Sequence, residues 1–248
     1  MIIKELLDML SITDTPRHAG VILSGDYHDL NQLYDALHHI VGEEGQFPAS
    51  EGSRLRVLGL CYDIRHAFMG DRDVHFVDNG LTDEKKKYIG ILAPNQNVYY
   101  SFKYLWPEVL FIMIVLNDYI STAERMGKIG VWDPTVTTIR NFQGALTSCI
   151  RDTVAETVFI RMIKSMNQRF VSYDHYCVQY LDVLTDTFLR KDPEKRLKFL
   201  STLAKRIAEK DGDYYQVEMS VRQAAIKYNC SPLDIRIGDM DDDAEIDW

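Results

Sequence analysis

Residues 53–69 carry two apolar stripes, and a helix with two apolar stripes has to be covered twice. At about 100° per residue, Val57, Leu60, Cys61, Ile64 and Phe68 gather on one side, and Leu55, Leu58, Tyr62 and Met69 on another. Polar residues fill the seams, Arg54 and Arg65 in one, Arg56, Asp63 and His66 in the other. The pattern predicts a helix sandwiched between two packing partners, with both faces buried.

The N-terminal part mixes strand and helix signals. Residues 18–24 are short, apolar and β-branched and read as a strand; Gly25 and Asp26 then turn the chain into a helix over residues 29–40, with Leu30, Leu33, Leu37 and Ile40 on one face. Gly42 ends it, and the Gly-, Pro- and Ser-rich stretch 43–52 is a loop. Val74, His75, Phe76 and Val77 form a second strand, closed by Asp78, Asn79 and Gly80, and residues 97–105 form a third. Pro107 suits the first turn of a helix whose following run, Val109 to Leu116, is apolar all round and therefore buried.

From Asp133 onward the spacing is helical. Asp133 with Pro134 and Asp192 with Pro193 are caps followed by first-turn prolines. Val136, Ile139, Phe142, Leu146, Ile150, Val154, Val158 and Met162 describe one long helix, or two with a bend near Gly144. Further helices carry Tyr180, Leu184 and Phe188, then Leu197, Leu200, Leu203 and Ile207, and a last one runs to about Tyr228. The expected class is α+β, predominantly helical: a small antiparallel sheet of about three strands with helices over residues 1–130, a bundle-like helical unit over 131–238 sharing a core with it, and an acidic flexible tail over 239–248.

Charge narrows the function classes. The 248 residues carry a formal net charge of −9. Asp239, Asp241, Asp242, Asp243, Glu245 and Asp247 lie in the tail, which leaves −3 for the remainder. A chain so balanced argues against broad phosphate-backbone binding. Cys61, Cys149, Cys177 and Cys230 make no C-x-x-C pair and read as buried reduced thiols. The start has no signal-peptide layout, and the apolar run after Glu108 is far short of the ~20 residues of a spanning helix. The expected location is the cytoplasm, with no membrane contact.

Three clusters invite chemical roles. His18, Asp26, His28 and Asp29 surround one strand end, where imidazoles and carboxylates bind metals or move protons; the plainer role for Gly25, Asp26 and Asp29 is turning and capping. Asp63 and His66 lie three apart on one helical side, so that the carboxylate can orient the imidazole, and Asp71 and Asp73 follow in a Gly-Asp-Arg-Asp turn. That group could serve a hydrolase, or it could be a structural ion-pair network. His38 and His39 are helix neighbours about 100° apart and cannot jointly hold one metal. The segment 221–235 has the look of the first half of a helix-turn-helix, but few residues remain for a reading helix before the acidic tail. The chain has no Gly-x-Ser-x-Gly elbow, Walker A loop or G-x-G-x-x-G.

The stretches Thr15 to Gly20, Ser24 to Tyr27, Leu33 to His38, Cys61 to Ala67, Gly70 to Asp73 and Asp78 to Gly80 resemble an uncharacterised bacterial family of unknown function. The likeness covers roughly the first 125 residues. The family has no established activity, so the resemblance implies a bacterial cytoplasmic origin and assigns no catalytic residue.

The expected function is a non-catalytic binding or interaction protein, with a protein partner or a second copy of itself. The alternative is a metal-assisted or acid–base hydrolase built on Asp63, His66, Asp71 and Asp73, with His18, Asp26 and His28 as candidate ligands for a divalent metal. No other cofactor is evident. A nucleic-acid-binding regulator is the second alternative.

Overall fold

A computed structural model describes residues 10–167, 176–237 and 246–248. The elements, in chain order, are β1 (Leu10–Asp14), β2 (Gly20–Gly25), α1 (Tyr27–Val41), α2 (Glu51–Phe68), β3 (Asp73–Asp78), α3 (Asp83–Ile89), β4 (Gln96–Leu105), α4 (Trp106–Arg125), α5 (Pro134–Thr153), α6 (Glu156–Met166), α7 (Cys177–Leu189), α8 (Pro193–Ala208) and α9 (Gly212–Tyr228). Single 3-10 turns follow Phe47 and Ser231. The protein is therefore α+β and predominantly helical, as expected.

The sheet has four strands where three were expected, in the order β1-β2-β4-β3, every neighbouring pair antiparallel. Its extra member is β1, which pairs Ile12 with Leu23. Val21, Leu23 and Phe102 lie on the face that the helices cover, and all three are buried. Close packing dictates Gly20, because a Cβ there would stand 2.1 Å from the main-chain oxygen of Tyr104.

Local signals place the helix starts. Asp26 accepts from the Asp29 amide while Asp29 accepts from the Asp26 amide, a capping box that starts α1. Asp133, Asp192 and Asp211 cap α5, α8 and α9. The bend expected near Gly144 lies instead at Val154 and Ala155, which are extended between α5 and α6, while Gly144 stays inside α5. The apolar helix α4 lies at the centre and packs on α7 and α8 as well as on α1, α2, α5 and the sheet. One buried cluster runs from Ile12 to Tyr214 and includes both halves of the chain.

Two expectations need correction. In the first stripe of α2, Val57, Leu60, Cys61 and Ile64 are fully buried and Phe68 is half-buried. The second stripe is not buried: Leu55 is 55%, Tyr62 55% and Met69 63% exposed. Away from α1, α2 meets β4, α4 and α7, the last two through ion pairs of the seam residue Arg56, while the Leu55, Tyr62 and Met69 side of the helix faces outward. The tail differs at its end. Residues 239–245 lie outside the described residues, but Trp248 sits on Gly20 with Lys103 Nζ 5.6 Å from its ring centroid. The Asp247 carbonyl accepts from Arg196 at 2.7 Å, and its carboxylate meets Arg17. The end of the chain is docked, not free.

Candidate functional site

The two-stripe helix carries its chemistry in the seam. Arg56 Nη1 donates to Glu108 Oε1 at 2.9 Å, and Nη2 donates to Asp182. This joins α2, α4 and α7 through one guanidinium. Glu108 Oε2 is buried without a hydrogen-bond partner among the described residues. Burial pushes the Glu108 carboxyl up to about 7, with Arg56 opposing and the Asp182 charge adding to the rise. Burial also raises Tyr104 well above the usual phenol range.

Glu108 and Tyr104 stand between two clefts. One, of about 710 Å³, is bounded by Asp63, Asp71 and Asp73 on one side and by Phe102, Lys103, Leu105 and Trp248 on the other. It exists because β4 outruns β3: the pairing stops at Ser101, and residues 102–105 have no strand on that side. The other, of about 380 Å³, lies beneath Leu55, Val178 and Leu233.

A carboxyl near neutrality makes stability depend on pH. The folded chain holds the Glu108 proton up to about 7, whereas the unfolded chain releases it near the usual 4.5. Below that lower value both states are protonated and nothing is lost; between the two, stability falls as pH rises. We expect the melting temperature to drop from pH 5 to pH 8, by an amount equivalent to up to ~3 kcal/mol. Glu108→Gln should flatten that slope, and an equally steep slope in the variant would refute the assignment.

A third cleft, of about 510 Å³, opens between β1, α1 and α5. Asp29 and Asp152 are its carboxylates, and burial lifts Asp29 to about 6. Cys149 is in its wall, but burial pushes that thiol up to about 12, which withholds the nucleophilic thiolate.

The predicted site residues disperse. His18 Nδ1 bonds to Asp14, and Asp26 caps α1. His28 packs edge-on against Tyr27. Asp63 does not orient His66: it accepts from Arg72 at 2.9 Å, while His66 Nδ1 lies 2.9 Å from Asp71 Oδ2. Of that group, Asp63, Asp71 and Asp73 reach the Glu108 cleft and His66 does not line it. Among the described residues, no group of three or more His, Cys, Asp or Glu is placed to hold a metal ion. Among the described residues, only the 3-10 turn Pro232–Asp234 follows α9, not a reading helix. The sequence reading missed Glu108 and Asp182; the available signal was Arg56, a cation set between two apolar stripes.

One uncovered feature is an arm formed by β3, α3 and the start of β4. All six residues of β3 are exposed, and α3 has no buried residue. Phe76 is 64%, Tyr88 93% and Leu92 105% exposed. The arm is also an open sheet edge, since β3 is last in the strand order.

Fold and arm together define an α+β helical protein that carries an exposed, apolar sheet edge. The sequence model of a family described as a domain of unknown function (DUF6904) matches residues 10–248. The chain belongs to that family, and the match runs through the helical half as well as the sheet. No curated protein and no solved structure matches the chain. Among the described residues, no helix is long and apolar enough to cross a membrane.

Proposed function

We propose that this protein is a non-catalytic binding module whose β3–α3–β4 arm docks on a protein surface. One observation carries the reading: along β3, α3 and the segment after it, Val74, Phe76, Val77, Tyr88, Ile89 and Leu92 are all exposed. Apolar side chains left uncovered in such number on one excursion of the chain mark an interaction surface. The buried thiols Cys61 and Cys149 support a reducing compartment, the bacterial cytoplasm in this reading.

Replacing Tyr88 and Leu92 together by Ser should leave the melting temperature within about 2 °C, because neither packs within the chain. In whole cells, a photoreactive phenylalanine derivative at position 88 should give a covalent protein adduct that Leu92→Ser removes. A large loss of stability, or no adduct at position 88, overturns the reading.

A second reading, an acid–base hydrolase, is favoured by Glu108, whose carboxyl sits near neutrality beside a cleft that Asp63, Asp71 and Asp73 line. Hydrolysis of p-nitrophenyl esters or phosphates, removed by both Glu108→Gln and Asp63→Asn, would promote it.

A further inference from the structure

We infer that the larger of the two clefts beside Glu108 is a binding site for a small aliphatic diamine, with one ammonium set against the Glu108 carboxyl and the Tyr104 hydroxyl and the other against Asp73. The inference is independent of the arm and its partner.

Charge in the seam comes first. Glu108 and Asp182 share the one guanidinium of Arg56, so two negative charges meet one positive charge when both carboxyls are ionised. Arg236 acts on Asp182 but is not among the charges acting on Glu108. Oε1 of Glu108 accepts from Arg56, whereas Oε2 is buried with no hydrogen-bond partner among the described residues. A charge held away from water persists only when something pairs it. A proton can supply that pairing, and the carboxyl holds one up to about 7. An ammonium supplies it equally well.

Tyr104 brings a second unpaired group. Its hydroxyl makes no hydrogen bond among the described residues. A Cβ on Gly59 would meet that oxygen at 3.8 Å and nothing else within contact range, so the hydroxyl stands in open space under α2. The charges of Glu108, Asp63 and Arg56 all reach it. Glu108 and Tyr104 both line the cleft. A phenol oxygen and a carboxylate oxygen accept from N–H, which suits a primary ammonium better than a quaternary one.

The walls account for the second ammonium and the chain between the two. At about 710 Å³ the cleft is far larger than one ammonium requires. Asp63 is held by Arg72, and Asp71 by His66. The Asp73 carboxylate, exposed at the start of β3, has no partner among the described residues. Phe102 and Leu105 give the cleft apolar wall for a methylene chain. Lys103, the other cation in the wall, keeps Nζ 5.6 Å from the Trp248 ring centroid. Carboxylates in the majority repel an anion. Among the described residues no three His, Cys, Asp or Glu stand close enough to hold a metal ion, so the donors favour an organic cation.

The test is titration calorimetry of the full-length chain with aliphatic diamines of increasing length, from diaminopropane to diaminohexane, and with n-butylamine and butanediol. At least one diamine should bind with a dissociation constant below about 1 mM and at least about tenfold more tightly than n-butylamine, and butanediol should not bind. At pH 6 binding should release a proton, read as a dependence of the heat on the buffer, and affinity should rise about tenfold from pH 6 to pH 8. Glu108→Gln should remove both effects and weaken binding at pH 8 at least about tenfold. Asp73→Asn should weaken the diamine at least about threefold and leave n-butylamine within about twofold. Four results overturn the inference: no diamine binding, butanediol binding as tightly as the diamines, a proton still released by Glu108→Gln, or indifference to Asp73→Asn. Should Glu108→Gln fail to fold, Asp73→Asn and the proton released by the unaltered chain decide the matter.

Discussion

Replacing Trp106 by alanine should destabilise the protein by about 3–5 kcal/mol, a large share of the ~5–15 kcal/mol that holds an ordinary domain folded. Trp106 is 0% exposed and stands where β4 becomes α4. Its amide donates to the Ala19 carbonyl at 3.2 Å, and its indole Nε1 donates to Asp14 Oδ1 at 2.9 Å. Asp14 also holds His18, so this ring fixes the end of β1, the turn after it and the start of the central helix. Trp106→Phe separates the contributions: most of the burial survives, the indole donor is lost, and the expected cost is about 1–3 kcal/mol. Urea denaturation of both variants measures the two values. A loss below ~1 kcal/mol for Trp106→Ala would mean the ring is not the joint described.

Arg56→Met is expected to cost about 2–4 kcal/mol, because it leaves the Glu108 and Asp182 carboxylates facing each other without their shared cation. The Arg56 side chain is 27% exposed, so the loss is placed below that of a fully buried pair. Two further results identify the cause. The cost should be smaller at pH 5, where Glu108 keeps its proton, than at pH 8. Glu108→Gln added to Arg56→Met should recover part of the stability, since one of the opposed charges is then gone. Denaturation midpoints that ignore both pH and the second substitution would show that the seam is held by packing alone.

What could be read along the chain was local. Asp133 with Pro134 and Asp192 with Pro193 mark helix starts because a cap acts within three residues of itself. The even apolar run of α4 announced its burial. Segments that draw their order from elsewhere were silent. β1, Leu-Ser-Ile-Thr-Asp, is a strand because β2 lies beside it. α3 has no buried face and so no periodicity to detect. The second stripe of α2 shows that a pattern states a face is apolar without stating what covers it. The Glu108 cleft was hidden for a different reason. Its carboxyl is raised by burial, with Arg56, 52 positions away, opposing and Asp182, 126 positions from Arg56, adding to the rise. The Asp63 and His66 spacing was read correctly as one side of a helix, yet each side chain found a nearer partner in the turn that follows, Arg72 for one and Asp71 for the other.

The central position of α4 bears on how this protein can be taken apart. Its buried residues include Val109, Leu110, Phe111, Ile112, Ile114, Val115 and Leu116, and these meet elements from both ends of the chain. A fragment ending after α4 would carry that helix with one flank bare, and a fragment starting at α5 would lack the surface on which its helices assemble. Cutting between Met126 and Asp133 should thus yield two pieces that are insoluble apart and complementary together. The same cut would make this fold a candidate scaffold for a split reporter, in which joining two fused proteins rebuilds the whole.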